Sequence, residues 1–287
     1  MAMSIEQAVE TTIETRYLSF AARRWGDPNG LPVLALHGWL DNAASFDRLA
    51  PCLPQLQLVA IDLAGHGHSE HRPVGMKYHY VDYIDDVMAI ADALGWERFA
   101  LLGHSLGAGI ACVVASSFPE RITHLMLLEG IGPMSREADT VSDSMFKSVQ
   151  QMKRQGKKMM PIYPDVDSAV VARTKVGDMN PDSIQILVQR NLKEKDGGVM
   201  WRSDPRLKLG SALYMVEDQV RSFLKGITAP TLLVTGKNGL IKRLGRLNER
   251  AACIQSIQQA VVLEGGHHLH LDDPIPVSEE INRFLGV

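Results

Sequence analysis

The chain has 287 residues, 45% hydrophobic and 22% charged, a content that supports a large packed core and excludes a disordered chain. Its formal net charge of −3, from 30 basic and 33 acidic residues, supplies no field to draw it to nucleic acid or an anionic membrane, so the expected partner is a small molecule. Three widely spaced cysteines, Cys52, Cys112 and Cys253, suit reduced thiols in a cytoplasm and not a disulfide framework.

The N-terminal stretch MAMSIEQAVETTIETRY lacks the basic start and apolar run of a signal peptide. No run reaches the ~20 apolar residues of a spanning helix. Short Val, Ile and Leu runs then alternate with segments of helical period, the pattern of a mostly parallel central sheet flanked by helices. The segment 17–25 is expected to pair at the sheet edge, and the runs 32–36, 58–62, 99–103, 125–129, 230–235 and 260–263 predict strands. Helices are expected over 81–94, ending at Gly95, and over 106–118, ending before Pro119, with a closing helix over 277–285.

From 133 to 224 this alternation stops. Roughly 90 residues with helical patterns, Pro and Gly breaks and no convincing strand far exceed an ordinary connection. They predict an inserted helical cap on a core made of 1–132 and 225–287. Within it, Met145, Met152 and Met159 recur at intervals of seven, with Phe146 and Val149 between and Lys147, Lys153, Arg154, Lys157 and Lys158 on the other side. The expectation is a helix packing its apolar face on neighbours and leaving its basic face solvated; a basic site for anionic substrates is the alternative.

The strand 99–103 runs into Gly103-His104-Ser105-Leu106-Gly107 and straight on into a helix of small and apolar residues. A serine between glycines on a strand-to-helix turn is held on strained backbone with its hydroxyl exposed, and the Leu106 amide at the helix start faces a developing oxyanion. The strand ending in His37-Gly38-Trp39 offers the Trp39 amide as second donor. The glycine-rich run Asp62 to Ser69 reads as scaffold, and His66, His68 and His71 as a polar loop.

A serine nucleophile needs a base, and Gly265-Gly266-His267-His268-Leu269-His270 supplies three histidines between a strand and the last helix. His267 is the first choice, His268 the second and His270 the third. A metal site built with Asp272 is disfavoured, because adjacent histidines point apart and no second ligand cluster is visible. The histidine in turn needs a carboxylate. The loop after 230–235 reads Gly236-Lys237-Asn238-Gly239 and holds no acid before Glu249, whereas Glu129 ends the strand after the nucleophile helix, 24 residues beyond Ser105. Glu129 is therefore the expected third member, a satisfied strand-end carboxylate being the alternative.

Strand-His-Gly-Trp, Asp-x-x-Gly-x-Gly-x-Ser, Gly-His-Ser-Leu-Gly and Gly-Gly-His together resemble the α/β-hydrolase fold superfamily. Leu36 to Leu49 and Arg202-Ser-Asp204-Pro-Arg206-Leu207 are similar in particular to the serine hydrolase-like proteins. The resemblance implies a nucleophile at Ser105, an oxyanion hole from Trp39 and Leu106, a base at His267 and a helical cap. It disfavours the dehalogenases and epoxide hydrolases of this fold, whose nucleophile is Asp. The expected reaction is hydrolysis of an ester or related acyl bond through an acyl-enzyme, with no metal and no organic cofactor. Thioester, lactone or carbon–carbon hydrolysis, perhydrolysis, or ligand binding without turnover are the alternatives.

Overall fold

The computed structural model describes residues 8–155, 160–175, 177, 179–243 and 245–287. In chain order the first elements are β1 (Val9–Glu14), β2 (Ser19–Trp25), β3 (Leu31–Leu36), β4 (Leu56–Ile61), α1 (Asp82–Ala93), β5 (Phe99–His104), α2 (Leu106–Ser117) and β6 (Ile122–Leu128). Then follow α3 (Val141–Arg154), α4 (Val166–Thr174), α5 (Pro181–Arg190), β7 (Leu192–Lys195), β8 (Gly198–Trp201) and α6 (Glu217–Lys225). The chain closes through β9 (Thr231–Gly236), α7 (Leu240–Arg243), α8 (Leu247–Ala251), β10 (Ile257–Leu263), α9 (Leu269–Asp272) and α10 (Pro274–Leu285).

Eight strands form one sheet in the order β1-β2-β4-β3-β5-β6-β9-β10. The pairs β1–β2 and β2–β4 are antiparallel and the others parallel. Alternation along each strand divides the core between two faces. Leu34, Leu36, Val59, Ile61, Leu101, Leu127 and Leu233 face α1 and α2, whereas Val33, Ala35, Leu58, Ala60, Leu102, Met126 and Val234 face Val277 and Ile281 of α10.

The strands depart from the sequence reading in two places. The segment over 17–25 is second from the edge, because β1, whose VETTIE sequence buries only Ile13, pairs along its whole length outside β2. The stretch 133–224, expected to be helical throughout, contains the antiparallel hairpin β7–β8. Its turn residues Asp196 and Gly197 both have positive φ, 48° and 80°, as the tightest hairpin turns require. Its own small core joins Ala169, Met179, Ile184, Leu187, Val188 and Leu192 to Leu271 of α9. The last helix of the stretch, α6, packs Val220 and Leu224 into the main core instead.

The apolar face of α3 is a further correction. Met145, Phe146 and Val149 are exposed, and Ser148 is the buried residue of the helix. The helix is held through polar atoms: Ser148 Oγ accepts from Lys77 Nζ at 2.6 Å and donates to the Gly210 carbonyl, while Gln151 accepts from the Gly210 amide. Met159, Lys157 and Lys158 lie outside the described residues.

Candidate active site

Three parallel strands end at one edge of the sheet, and each delivers a functional group. After β5, Ser105 has φ 51° and ψ −109°, a left-handed backbone that an L residue adopts only when its surroundings enforce it. The surroundings are close backbones: a Cβ on Gly103 would come within 2.5 Å of the Ala108 Cα, and one on Gly107 within 2.0 Å of the Leu36 carbonyl oxygen. The turn therefore admits glycine alone on both sides of the serine, and Leu106 opens α2 with its amide ahead of the intrahelical ladder.

After β6, Glu129 also has positive φ, 49°. Its buried carboxylate accepts from the Gly236 amide at 2.8 Å and from the Ile241 amide at 3.3 Å. The loop that lacks an acid is thus the cradle for one. Gly239 in it lies so near that a Cβ there would meet Glu129 Oε1 at 2.0 Å. The Gly-x-x-Gly spacing of that loop was the available signal.

After β10, His267 completes the line. Its Nδ1 is 3.1 Å from Glu129 Oε2 and its Nε2 is 3.0 Å from Ser105 Oγ. A carboxylate only accepts, so Nδ1 carries the proton and Nε2 is left to accept from the serine hydroxyl. His268 turns away, with its ring at 89° to that of His267, and pairs with Asp41 Oδ2 at 3.0 Å. His270 is bonded to Ser45, so neither of the lesser candidates touches Ser105. The Asp41–His268 pair, 227 residues apart in sequence, had no local signal.

The expected oxyanion segment lies between β3 and these groups. His37 takes the Leu63 amide on Nε2 and meets the Gly38 carbonyl with Nδ1, locking the ends of β3 and β4 together. Trp39, 54% exposed, reaches the Leu207 carbonyl with its indole nitrogen at 3.0 Å, tying the loop to the 133–224 stretch. His104, behind the serine, gives its Nε2–H to the His267 carbonyl at 2.9 Å. Burial, with His270, His267 and His268 around it, holds the His104 ring well below the ordinary imidazole range.

The Asp62 to Ser69 run is scaffold. Asp62 accepts from the Ala43 and His68 amides and from Arg190 of α5. His68 and His71 bond to the Arg190 and Arg202 carbonyls. Burial, and His37 beside it, push His66 down to about 3. The Arg202 to Leu207 run is a latch: Asp204 takes the Tyr78 hydroxyl and Arg206, whose guanidinium also donates to the carbonyls of Arg72, Pro73 and Met76. The cysteines are free, with Cys112 buried, and no helix among the described residues is long and apolar enough to cross a membrane.

A model of the alpha/beta hydrolase fold family matches residues 32–274. A serine hydrolase-like protein of Danio rerio is 34% identical over 91% of this chain and 83% of its own length. Another from Dictyostelium discoideum is 33% identical over 93% and 79%. Among solved structures, a hypothetical protein of Pseudomonas aeruginosa PAO1 superposes with a TM-score of 0.92 at 39% identity, covering 97% of this chain and 99% of that one. The thioesterase domain from the curacin biosynthetic pathway superposes with a TM-score of 0.82 at 27% identity, over 96% and 98%. With its sheet order, strand-to-helix serine turn and match over most of its length, the chain belongs to the α/β-hydrolase fold family and within it resembles the serine hydrolase-like proteins.

Proposed function

We propose that the protein is a serine hydrolase that cleaves an ester or related acyl bond of a small, partly hydrophobic substrate through an acyl-enzyme on Ser105. The observation that carries this reading is the unbroken hydrogen-bonded line from Ser105 Oγ through both nitrogens of His267 to Glu129. His267 Nε2 takes the hydroxyl proton as Oγ attacks the acyl carbon, and the Trp39 and Leu106 amides receive the oxyanion. His267 returns the proton to the leaving oxygen, and the acyl group stays on Oγ. Water, deprotonated by the same nitrogen, then releases the carboxylic acid and restores Ser105. Glu129 holds the Nδ1–H tautomer and stabilises the imidazolium formed in each half. The segment 133–224 serves as the cap over this site, anchored by Arg190 on Asp62, by Arg206 on the 72–76 loop and by the Trp39–Leu207 bond.

A fluorophosphonate probe with peptide mapping, run beside p-nitrophenyl esters of graded chain length, tests the reading. Labelling at Ser105 is expected, with turnover lowered about 10³-fold or more by Ser105→Ala and His267→Ala. A folded wild-type chain that neither labels nor turns over any ester would overturn it.

A further inference from the structure

Beside the Ser105–His267–Glu129 line lies a second cluster, in which Asp41 Oδ2 and His268 Nε2 are bonded and one buried nitrogen, His104 Nδ1, has no partner among the described residues. Asp41 Oδ2 is 3.0 Å from His268 Nε2 and 3.9 Å from His104 Nδ1, and all three residues are buried. His104 Nε2 faces a carbonyl, the His267 oxygen, so the proton of this neutral ring sits on Nε2 and Nδ1 presents a lone pair. That lone pair has no hydrogen-bond partner among the described residues. It faces a carboxylate oxygen, another acceptor, at a distance too long for a hydrogen bond. Two buried acceptors directed at one point leave room for a cation between them.

We propose that Asp41, His104 and His268 bind a divalent transition-metal ion of the zinc class next to the catalytic line. Zinc–nitrogen and zinc–oxygen bonds of about 2.0–2.2 Å at a tetrahedral angle set ligand atoms about 3.3–3.6 Å apart. The 3.0 and 3.9 Å spans lie on either side of that separation, each within about 0.5 Å of it. The three ligand atoms lie within 4.8 Å of one another, so a small rotation of the His268 ring brings the remaining pair into range. Imidazole and carboxylate are the donor set that zinc, cobalt and nickel share.

The surroundings suit an ion. The His104 Nε2–H donated to a backbone carbonyl is the support that orients a metal-bound histidine. On binding, His268 stays neutral while its proton moves from Nε2 to Nδ1, a buried nitrogen with no partner among the described residues, so this transfer opposes binding. Gly38 leaves the approach open: a Cβ there would stand 2.9 Å from Asp41 Oδ2 and 3.0 Å from His104 Nδ1. Arg173 of α4 lies 3.5 Å from the other oxygen, Oδ1, and its charge opposes the ion without occupying its place. Adjacent His267 and His268 do point apart, as the sequence suggested, and the second and third ligands come from the β3 and β5 ends that folding brings to the His268 ring.

The test is titration of the full chain with Co²⁺, read by its visible absorption, followed by Zn²⁺ competition. One Co²⁺ per chain, displaced by Zn²⁺, is expected. Asp41→Asn and His268→Gln keep similar size and hydrogen bonding but weaken binding at least 10-fold, and Arg173→Gln strengthens it. Nitrogen NMR of the cadmium-loaded unmutated protein should show His104 Nδ1 and His268 Nε2 bound to the metal, an outcome independent of how the variants fold. Absence of Co²⁺ binding by the wild type, equal binding by both ligand variants, or NMR signatures on other histidines would each overturn the site. None of these readouts depends on ester turnover, so the metal site and the hydrolase reading fail or stand separately.

Discussion

Glu129 keeps a left-handed backbone at the end of a buried strand, a conformation that costs about 1–3 kcal/mol unless neighbours compensate. Its carboxylate oxygens each take a backbone amide, and Gly239 supplies the space. Gly239→Ala would drive a methyl group into Oε1. The expected result is a folded chain whose kcat falls at least 10-fold while its far-UV spectrum is unchanged. A variant with wild-type kcat would show that the carboxylate is not held by that loop. The juxtaposition of Ser105, His267 and Glu129 was legible because each sits where an apolar run meets a glycine or a turn at the same end of the sheet. Asp41 with His104 was not legible, because a strand end and an elbow meet there only through the sheet order.

Among the elements, most strands and helices followed from period and punctuation. The misses have physical reasons: β1 is an edge strand with one buried side chain, so burial leaves no alternation to read. The β7–β8 hairpin did carry its signal, Asp-Gly between Leu-Lys-Glu-Lys and Gly-Val-Met-Trp, but β7 exposes all but Leu192 and β8 is only half buried. The α3 face misled because contact runs through Ser148, and apolar period alone does not say which side is covered. The Asp204–Arg206 latch joins the 133–224 stretch to the loop before α1. Arg206→Lys removes the planar fork that serves three carbonyls and a carboxylate at once. A loss on the order of 2 kcal/mol in urea unfolding is expected, and an unchanged midpoint would mean that the latch carries no stability.

At the scale of the whole molecule, acid is the expected weakness. Burial holds His66 and His270 down to about 3; Asp62 and Asp41 near His66, and Asp41 near His270, pull the other way without prevailing. Unfolded, these rings bind protons below about pH 6.5, so the unfolded state gains protons that the folded state refuses and stability falls as pH drops from about 6.5 toward 3. Burial raises Asp47 and Asp86 to about 6 despite Arg23 and Arg72, and these two oppose the trend between about pH 6 and 4. Urea midpoints measured across pH 4 to 7 should decline toward acid; a midpoint that rises toward acid throughout that range would show that the two carboxyls outweigh the histidines.

The long excursion between β6 and β9 leaves from one strand and returns to its immediate parallel neighbour, with Leu128 opposite Val234 and the Glu129 amide donating to the Val234 carbonyl at 2.9 Å. The two strands that flank this excursion of roughly 100 residues are thus held in one register by the sheet itself. Insertions, deletions or wholesale exchange within the excursion leave the separation of Glu129 from its cradle untouched, because that separation is set by one rung of the ladder. The residues of the excursion and the alignment of Glu129 with its cradle are therefore free to vary independently.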